Sequence, residues 1–530
     1  MKLRVSLPAV SLFALAALLG AQGLDPAALL KQPTDTWPTY NGDYSGRRYS
    51  PLTQIDSSNV RTITLAWIWR VTSSPFGGAA QPSLGSAIKA TPLEVNGILY
   101  FSEPDNVWAV DARTGEQIWH YQYPPNDGLH IGSRGVAMYG NWLYFETPDN
   151  YLVSLDAQTG KERWRQQMAD VKLDYFSTMA PVVVKNHIIC SVGGDTLDNP
   201  GYLEARDPET GELQWQWFTE PRPGEPGAET WPDAGAMEHG GGMPWMPGTY
   251  DPELNLIYWG IGNPNPVHAG SGRMGDNLWT DTIVALNPDT GKLVWYYQTT
   301  PHDTHDWDSV QTPILFDAVF DGQPRKLLAQ ANRNGYFFLL DRANGEHLIT
   351  APFAKTNWST GIDPKGRPIM NPAKVPTHDG ALVCPSSNGA TNWFAPAFDP
   401  AAGLFYVLAS DNCSVFYLTA EGKGEGFAGR DFTLGSAKNA LRAIDFKTGK
   451  VAWSFDGGSG GGLLATAGQV VFSGTEGGDL AAVDPKTGKA LWHTRAGRST
   501  NPPMTYELDG RQYVLFGVGD SLMAFTLPRS

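Results

Sequence analysis

Cysteine is scarce in this chain: Cys190, Cys384 and Cys413 are the only three in 530 residues. No Cys-x-x-Cys-His occurs, which excludes a covalently attached c-type haem of the usual kind. Basic tracts are missing as well. Lys and Arg number 39 against 54 Asp and Glu, a net charge of −15. That balance argues against nucleic acid as a partner and is compatible with a basic soluble protein. Nor is any apolar run long enough to span a bilayer comfortably. The run Val10 to Gly20 is short, follows Lys2 and Arg4, and precedes the small residues of Ala21-Gln-Gly23. Residues 1–23 therefore read as an export signal and 24–530 as a mature periplasmic chain. No cysteine follows the run to carry a lipid anchor. In an exported chain two of the three cysteines can pair, and sequence alone does not choose which.

Glycine and proline, by contrast, are abundant at 59 and 40, and 19 Trp, 20 Tyr and 22 Phe supply large packing surfaces. These residues recur in a phrase, Asp/Asn-x-x-Thr-Gly-x-x-x-Trp. Full copies run from Asp111 to Trp119, Asp156 to Trp164, Asp207 to Trp215, Asn287 to Trp295, Asp445 to Trp453 and Asp484 to Trp492. Two worn copies keep only the turn, at Asp341 to Gly345 and Asp399 to Gly403. Successive starts lie roughly 40–60 residues apart with one longer gap, the period of a propeller blade or a solenoid unit. The Asp opens a tight turn and the Gly supplies the positive φ that closes it. The Trp falls in the next strand, where its face can pack between neighbouring repeats. Runs such as Gly97-Ile-Leu-Tyr-Phe101 read as strands. The pattern predicts an all-β, eight-bladed β-propeller forming one body over 24–530, closed by a strand from each terminus. The stretch from Glu220 to Pro247 is too long for a blade turn, and long loops tend to carry function.

Ionisable residues crowd most densely in His302-Asp-Thr-His-Asp306-Trp-Asp308. Asp306 and Asp308 are two apart, so in an extended segment both carboxylates point to one side. Two acids held together repel unless a cation lies between them. His-x-x-His in an extended segment does not aim both rings at one point, which argues against zinc. A second unusual stretch is Gly260-Ile-Gly-Asn263-Pro-Asn-Pro266, where the prolines fix the direction of an amide oxygen suited to calcium-like ions. Taken alone, each stretch also fits an ordinary acidic or Asn-Pro turn.

Together these stretches resemble the pyrroloquinoline-quinone (PQQ) dependent alcohol dehydrogenases. The resemblance runs from Asn41-Gly-Asp-Tyr-Ser-Gly-Arg-Arg-Tyr-Ser-Pro51 to Gly517. Its most specific phrases are Tyr250 to Pro264, Gly275-Asp-Asn-Leu-Trp-Thr280 and Thr300-Pro-His-Asp303, with Arg333-Asn-Gly335, Leu340-Asp-Arg342 and Ala465-Thr-Ala-Gly468 beside them. The resemblance implies a quinone lying flat in the central funnel on Trp245. It implies that Arg134 and Thr178 bind the quinone's carboxylates, that Gly193 and Gly194 allow close approach, and that Asn392 and Trp393 form the opposite rim. Arg333 matches the cation beside the reactive carbonyl and Asp306 the catalytic base. Asn263 and Asp306 match metal ligands, and Asp308 matches an extra carboxylate of the lanthanide-using branch. Cys384 and Cys413 match a structural disulfide, leaving Cys190 as a buried thiol.

Three departures qualify the match. The vicinal cysteine pair that caps the quinone in the family falls here at Gly128-Leu129, so it is absent. Counting back from the turn puts Thr196 at the family's metal-binding Glu; Asp195 is the substitute taken here, with Asp198 a weaker one. Lys89 stands where many relatives have a Glu near the cofactor. The implied activity is oxidation of an alcohol, sugar or polyol using PQQ and one Ca²⁺ or lanthanide ion. With no haem in the chain, its electrons pass to a soluble cytochrome c. The rival expectation is a non-catalytic propeller scaffold of the outer-membrane assembly type, which needs the turns but not Asn263, Asp306 or Arg333.

Overall fold

The protein's structure, a computed structural model, describes residues 23–71, 87–197, 199–419 and 426–529. The export signal, except Gly23, lies outside the described residues, as do Asp198 and the side chain of Thr196. Strands make up nearly all the regular structure; the single α-helix among the described residues is Ala234–Glu238. No helix among them is long and apolar enough to cross a membrane.

Seven sheets of four strands and one of five follow one another along the chain. The first runs Leu93–Val95, Ile98–Glu103, Asn106–Asp111 and Gln117–Gln122, each strand antiparallel to the next. Burial falls from the first strands to the last: Leu93–Val95 is buried throughout, whereas Gln117–Gln122 is exposed or half-buried. Inner strands are continuous apolar runs because neighbouring sheets cover both of their faces, and the outer strands meet water. Thr64–Arg70 completes the last sheet by pairing antiparallel with Ser521–Thr526, so the two ends of the chain close the array. The result is a β-propeller, and closure leaves no long sheet edge open to other chains.

Each repeated turn joins the third and fourth strands of its own sheet. Asp111 Oδ1 accepts from the amides of Arg113 (2.7 Å) and Thr114 (3.0 Å), and Gly115 adopts φ 76°. The Trp119 ring then lies on Gly160 of the following turn, and its indole donates to the Ala157 carbonyl at 3.0 Å. A Cβ on Gly160 would come within 2.6 Å of that ring, so both φ and contact require glycine. Trp164, Trp215, Trp295 and Trp453 make equivalent donations to Glu209, Pro288, Arg342 and Pro485. Trp67, which follows no such turn in sequence, does the same to Ala112 and packs on Gly115.

The segment Tyr44–Arg48 threads along the inner edges of the sheets. Its carbonyls accept from Tyr250, Leu315, Phe398 and Ala465, amides that the innermost strands would otherwise bury unpaired. Arg48 is fully buried and donates to the carbonyls of Tyr40, Leu463 and Pro503, tying the first residues to the last sheets.

Cys384 and Cys413 form a disulfide and Cys190 is a buried free thiol whose pKa burial raises well above its usual value. The bond spans a separation of 29 residues. Replacing both cysteines by alanine is expected to cost about 3–4 kcal/mol of stability in the chain-entropy account. Denaturant unfolding measures it, and a variant as stable as the parent contradicts it.

Candidate active site

Every candidate residue lies at one end of the propeller, because each sits after the second strand of a sheet or ahead of the first strand of the next. Gly193 and Gly194 follow His187–Val192, Asn263 follows Leu256–Gly260, and Arg333 follows Gln323–Ala331. Arg134, Thr178, Trp245, Asp306 and Asp308, Asn392 and Trp393 precede Ala137–Tyr139, Val182–Val184, Thr249–Asp251, Ile314–Phe320 and Ala397–Asp399. The Asp-x-x-Thr-Gly turns lie at the opposite end, so packing and chemistry are segregated.

Arg333 organises the centre. One guanidinium nitrogen donates to Asp308 Oδ2, and the other to Asp306 Oδ2 at 3.2 Å and to the Ser387 carbonyl at 2.5 Å. Burial pulls the pKa of Arg333 down, but Asp306, Asp308 and Asp195 outweigh burial and raise it. Burial raises Asp306 well above the usual carboxylate range; Arg333 opposes that shift, while Asp308 and Asp195 add to it. Asp308 is also raised by burial, against Arg333, the Asn263 amide (2.9 Å) and the Trp245 indole (3.1 Å). Asp306 sits at φ 70°, so the segment is not the plain extended one that two-residue spacing suggests. The carboxylates converge because Arg333 spans both.

Asp303, which carries no role in the sequence reading, builds the loop. Its carboxylate accepts from the amides of His305 (3.1 Å), Asp306 (2.9 Å) and Trp307 (3.0 Å), wrapping the backbone around one fully buried acid. The Asp followed by a short polar stretch was the available signal, an Asx-type turn. The two histidines diverge: His302 bonds the Gly275 carbonyl, and His305 stacks on Trp307 at 4.4 Å and bonds the Lys374 carbonyl. Burial drives His305 down to about 3, so it is neutral.

Trp245 is half-buried, with the Arg134 guanidinium 4.6 Å from its ring centroid. Arg134 donates to the carbonyl (3.1 Å) and hydroxyl (2.5 Å) of Thr178, and burial lowers it to about 10. Trp393 faces Arg134 from the other side at 6.0 Å, and Asn392 folds onto its own loop through the Asn388 carbonyl and the Trp393 amide. A Cβ at Gly193 would meet Met243 at 2.6 Å and one at Gly194 would meet Asn199 at 2.8 Å, so packing alone requires both glycines. Lys89 donates to the Ile131 carbonyl at 2.8 Å, and burial, then Arg134, lowers it to about 8. Asp195 opens the turn Asp195–Leu197 with φ 47°, its carbonyl receiving the Asn265 amide.

These residues fit both groups that the family resemblance implies. Three carboxylates, those of Asp195, Asp306 and Asp308, interact with the one guanidinium of Arg333, leaving an excess of negative charge suited to a multivalent cation. Around them stand hard oxygen donors, including the buried and unpartnered amide oxygen of Asn265. Among the described residues no three His, Cys, Asp or Glu side chains already converge on one point, Asp306 and Asp308 being turned onto Arg333. For an anionic aromatic group, Trp245 offers a ring face, and the Nε atoms of Arg134 and Arg333 are buried donors without partners. Asp281, also absent from the sequence reading, lies fully buried without a hydrogen-bond partner; burial raises its pKa well above the usual range.

Comparison with known proteins gives the same direction. A family model described as "Glucose/ethanol/alcohol dehydrogenase, beta-propeller domain" matches residues 37–355. A second, "Outer membrane protein assembly factor BamB", matches 399–502 and 437–524. The chain is 37% identical over 545 residues to quinohemoprotein alcohol dehydrogenase ADH IIB of Pseudomonas putida, covering 95% of this chain and 76% of that one. It is 34% identical over 552 residues to a 1-butanol dehydrogenase (cytochrome c) of Thauera butanivorans, covering 95% and 77%. Among solved structures, a europium-containing methanol dehydrogenase superposes with a TM-score of 0.84 at 29% identity, covering 94% of this chain and 99% of that one.

Proposed function

The chain belongs to the PQQ-dependent alcohol dehydrogenase family, and from that premise we infer that it oxidises an alcohol, sugar or polyol beside Asp306, Asp308 and Arg333. The observation that carries this reading is the single guanidinium held between the buried Asp308 and the half-buried Asp306 carboxylates next to the Trp245 ring. Acids shifted in this way and gathered in one place point to a site rather than to packing.

Trp245 is the floor for the quinone, Arg134 with Thr178 holds its carboxylates by charge-assisted hydrogen bonds, and Gly193, Gly194, Asn392 and Trp393 border it. Asp195, Asn263, Asp306 and Asp308 hold a calcium or lanthanide ion. When bound, the quinone and its metal supply the acceptor for the hydride that leaves the alcohol carbon. Asp306 Oδ takes the hydroxyl proton. Arg333 fixes the direction of that carboxylate, and Asp303 fixes the backbone that carries it. Asp308 adds a negative charge that favours a trivalent over a divalent ion. The eight principal sheets are the eight blades of one domain over 24–530. Residues 1–23 direct export to the periplasm, where an external cytochrome c receives the electrons, as the cytochrome c-linked relative suggests.

The test is reconstitution of metal- and quinone-free protein with PQQ and either calcium or lanthanum. Retained quinone absorbance and reduction of a cytochrome c with one of a panel of alcohols and sugars are expected. Absence of both with either ion overturns the reading. Trp245→Ala is expected to weaken the quinone by about 1–3 kcal/mol, roughly 5–150-fold, through loss of the stacking face. An unchanged quinone titration removes Trp245 from the site.

A further inference from the structure

Beside the central cluster lies a cavity of about 510 Å³, between the sheet of Leu404–Asp411 and that of Gly458–Thr466. Its volume is in the range of sites that enclose small ligands. One wall is the loop that holds Arg333: Ser387 accepts from the guanidinium, and the Ala390 amide donates to the Arg333 carbonyl at 2.8 Å. Asn392 and Trp393 belong to both the cavity and the rim of the central site. The cavity therefore adjoins the central site across that rim.

The chemistry of its lining is one-sided. Trp393, Phe394 and Leu408 give it an apolar wall suited to a ring. Arg498 is the one charged side chain among the described residues that line it, and it makes no ion pair or hydrogen bond among them. Two acids stand nearby without lining the cavity: Glu476 receives the Asn439 amide at 3.1 Å, and Asp431 receives the Ser387 hydroxyl at 2.9 Å. The Thr391 hydroxyl is buried in the wall without a partner. Arg498 is exposed, and in a chain of net charge −15 a lone arginine lining a cavity is a local reversal of sign.

We propose that this cavity seats the far end of the substrate and selects ring-bearing alcohols whose far end carries a carboxylate, recognised by Arg498. The proposal rests on the dehydrogenase reading for the alcohol end. Recognition of a carboxylate at the other end stands on the cavity itself. The quinone is also a carboxylate donor, so the experiment separates the two sources.

Protein loaded with quinone and metal is offered 4-(hydroxymethyl)benzoate and 4-methylbenzyl alcohol, which differ chiefly in charge. The parent is expected to favour the acid in kcat/KM by about tenfold at low salt, through KM, with the preference falling as salt rises. Arg498→Gln is expected to lower the acid-to-neutral ratio about tenfold, and Arg498→Glu to invert it. Binding of 4-(hydroxymethyl)benzoate, followed by tryptophan fluorescence, provides a readout independent of turnover and is expected to weaken in the same order. No preference in the parent, or equal losses on both alcohols in Arg498→Gln, overturns the proposal. Weakened quinone titration in that variant with unchanged substrate binding also overturns it, and assigns Arg498 to the cofactor. If neither alcohol is oxidised while another of the panel is, this proposal fails and the dehydrogenase reading stands; if none of the panel is oxidised, the dehydrogenase reading fails, and the binding series alone decides the subsite.

Discussion

Asp306→Asn protein is expected to fold, to keep its quinone and to lose turnover by about 10²–10⁴-fold. An amide of the same shape cannot take the hydroxyl proton. The fold survives because Arg333 keeps Asp308 and the Ser387 carbonyl, and because the loop is wrapped around Asp303 rather than Asp306. The pH profile adds a second signature. Burial raises the Asp306 carboxyl well above the usual range, with Arg333 pulling it back. A base must be ionised to act, so parent kcat/KM is expected to rise with pH through a limb that reports its ionisation, which a bound cation pulls down from the metal-free value. That limb is absent from the residual rate of the variant. Near-parental turnover in fully loaded Asp306→Asn removes it as the base.

Arg333→Leu is the variant with the largest expected loss of stability. The parent holds the buried Asp308 and the half-buried Asp306 against one guanidinium, and stripping a buried charge of its partner costs about 3–5 kcal/mol. The cost depends on pH with a definite sign. Burial raises both carboxyls above the ordinary Asp value, so each binds its proton more tightly folded than unfolded. That contribution is full below the ordinary value and is lost as pH rises through the raised one. Without Arg333 both carboxyls rise further, so the deficit of metal-free Arg333→Leu is expected to be small in acid and to grow towards neutral pH. Added lanthanum is expected to stabilise this variant more than the parent, since the carboxylates then face the ion without a competing cation. Denaturant unfolding of metal-free protein at two pH values measures it. A deficit that is absent at neutral pH, or that shrinks as pH rises, contradicts the account.

Much of this protein is legible in its sequence because much of it is local. The Asp-x-x-Thr-Gly turns are fixed within five residues by an Asp side chain and a positive-φ glycine, and the structure holds them that way at Asp111 and Gly115. Spacing and local sequence drew out Asn263, Asp306 and Asp308, while the cysteine pairing and the other candidate residues came through the resemblance to a family. Trp67 escaped because it docks on the turn of Ala112 to Gly115 without a turn of its own before it. Asp303 and Asp281 escaped because their importance lies in burial, which a single polar letter does not announce.

The sequence alone determined that the chain is a repeat of strands with tight turns, that it carries a net charge of −15, and that acids cluster at 302–308. These follow from composition and from contacts a few residues apart. Only the tertiary structure decided that Arg333 lies between Asp306 and Asp308, since their separations of 27 and 25 residues are bridged by the antiparallel pairing of Ile314–Phe320 with Gln323–Ala331 within one sheet. It alone turned Tyr44–Arg48 into the thread along the axis and set an unpaired Arg498 in the wall of a cavity shared with Trp393. The physical reason is that burial and long-range electrostatics are properties of the closed ring. A carboxylate two residues from another becomes a costly, useful charge only once neighbouring sheets have excluded the water around it.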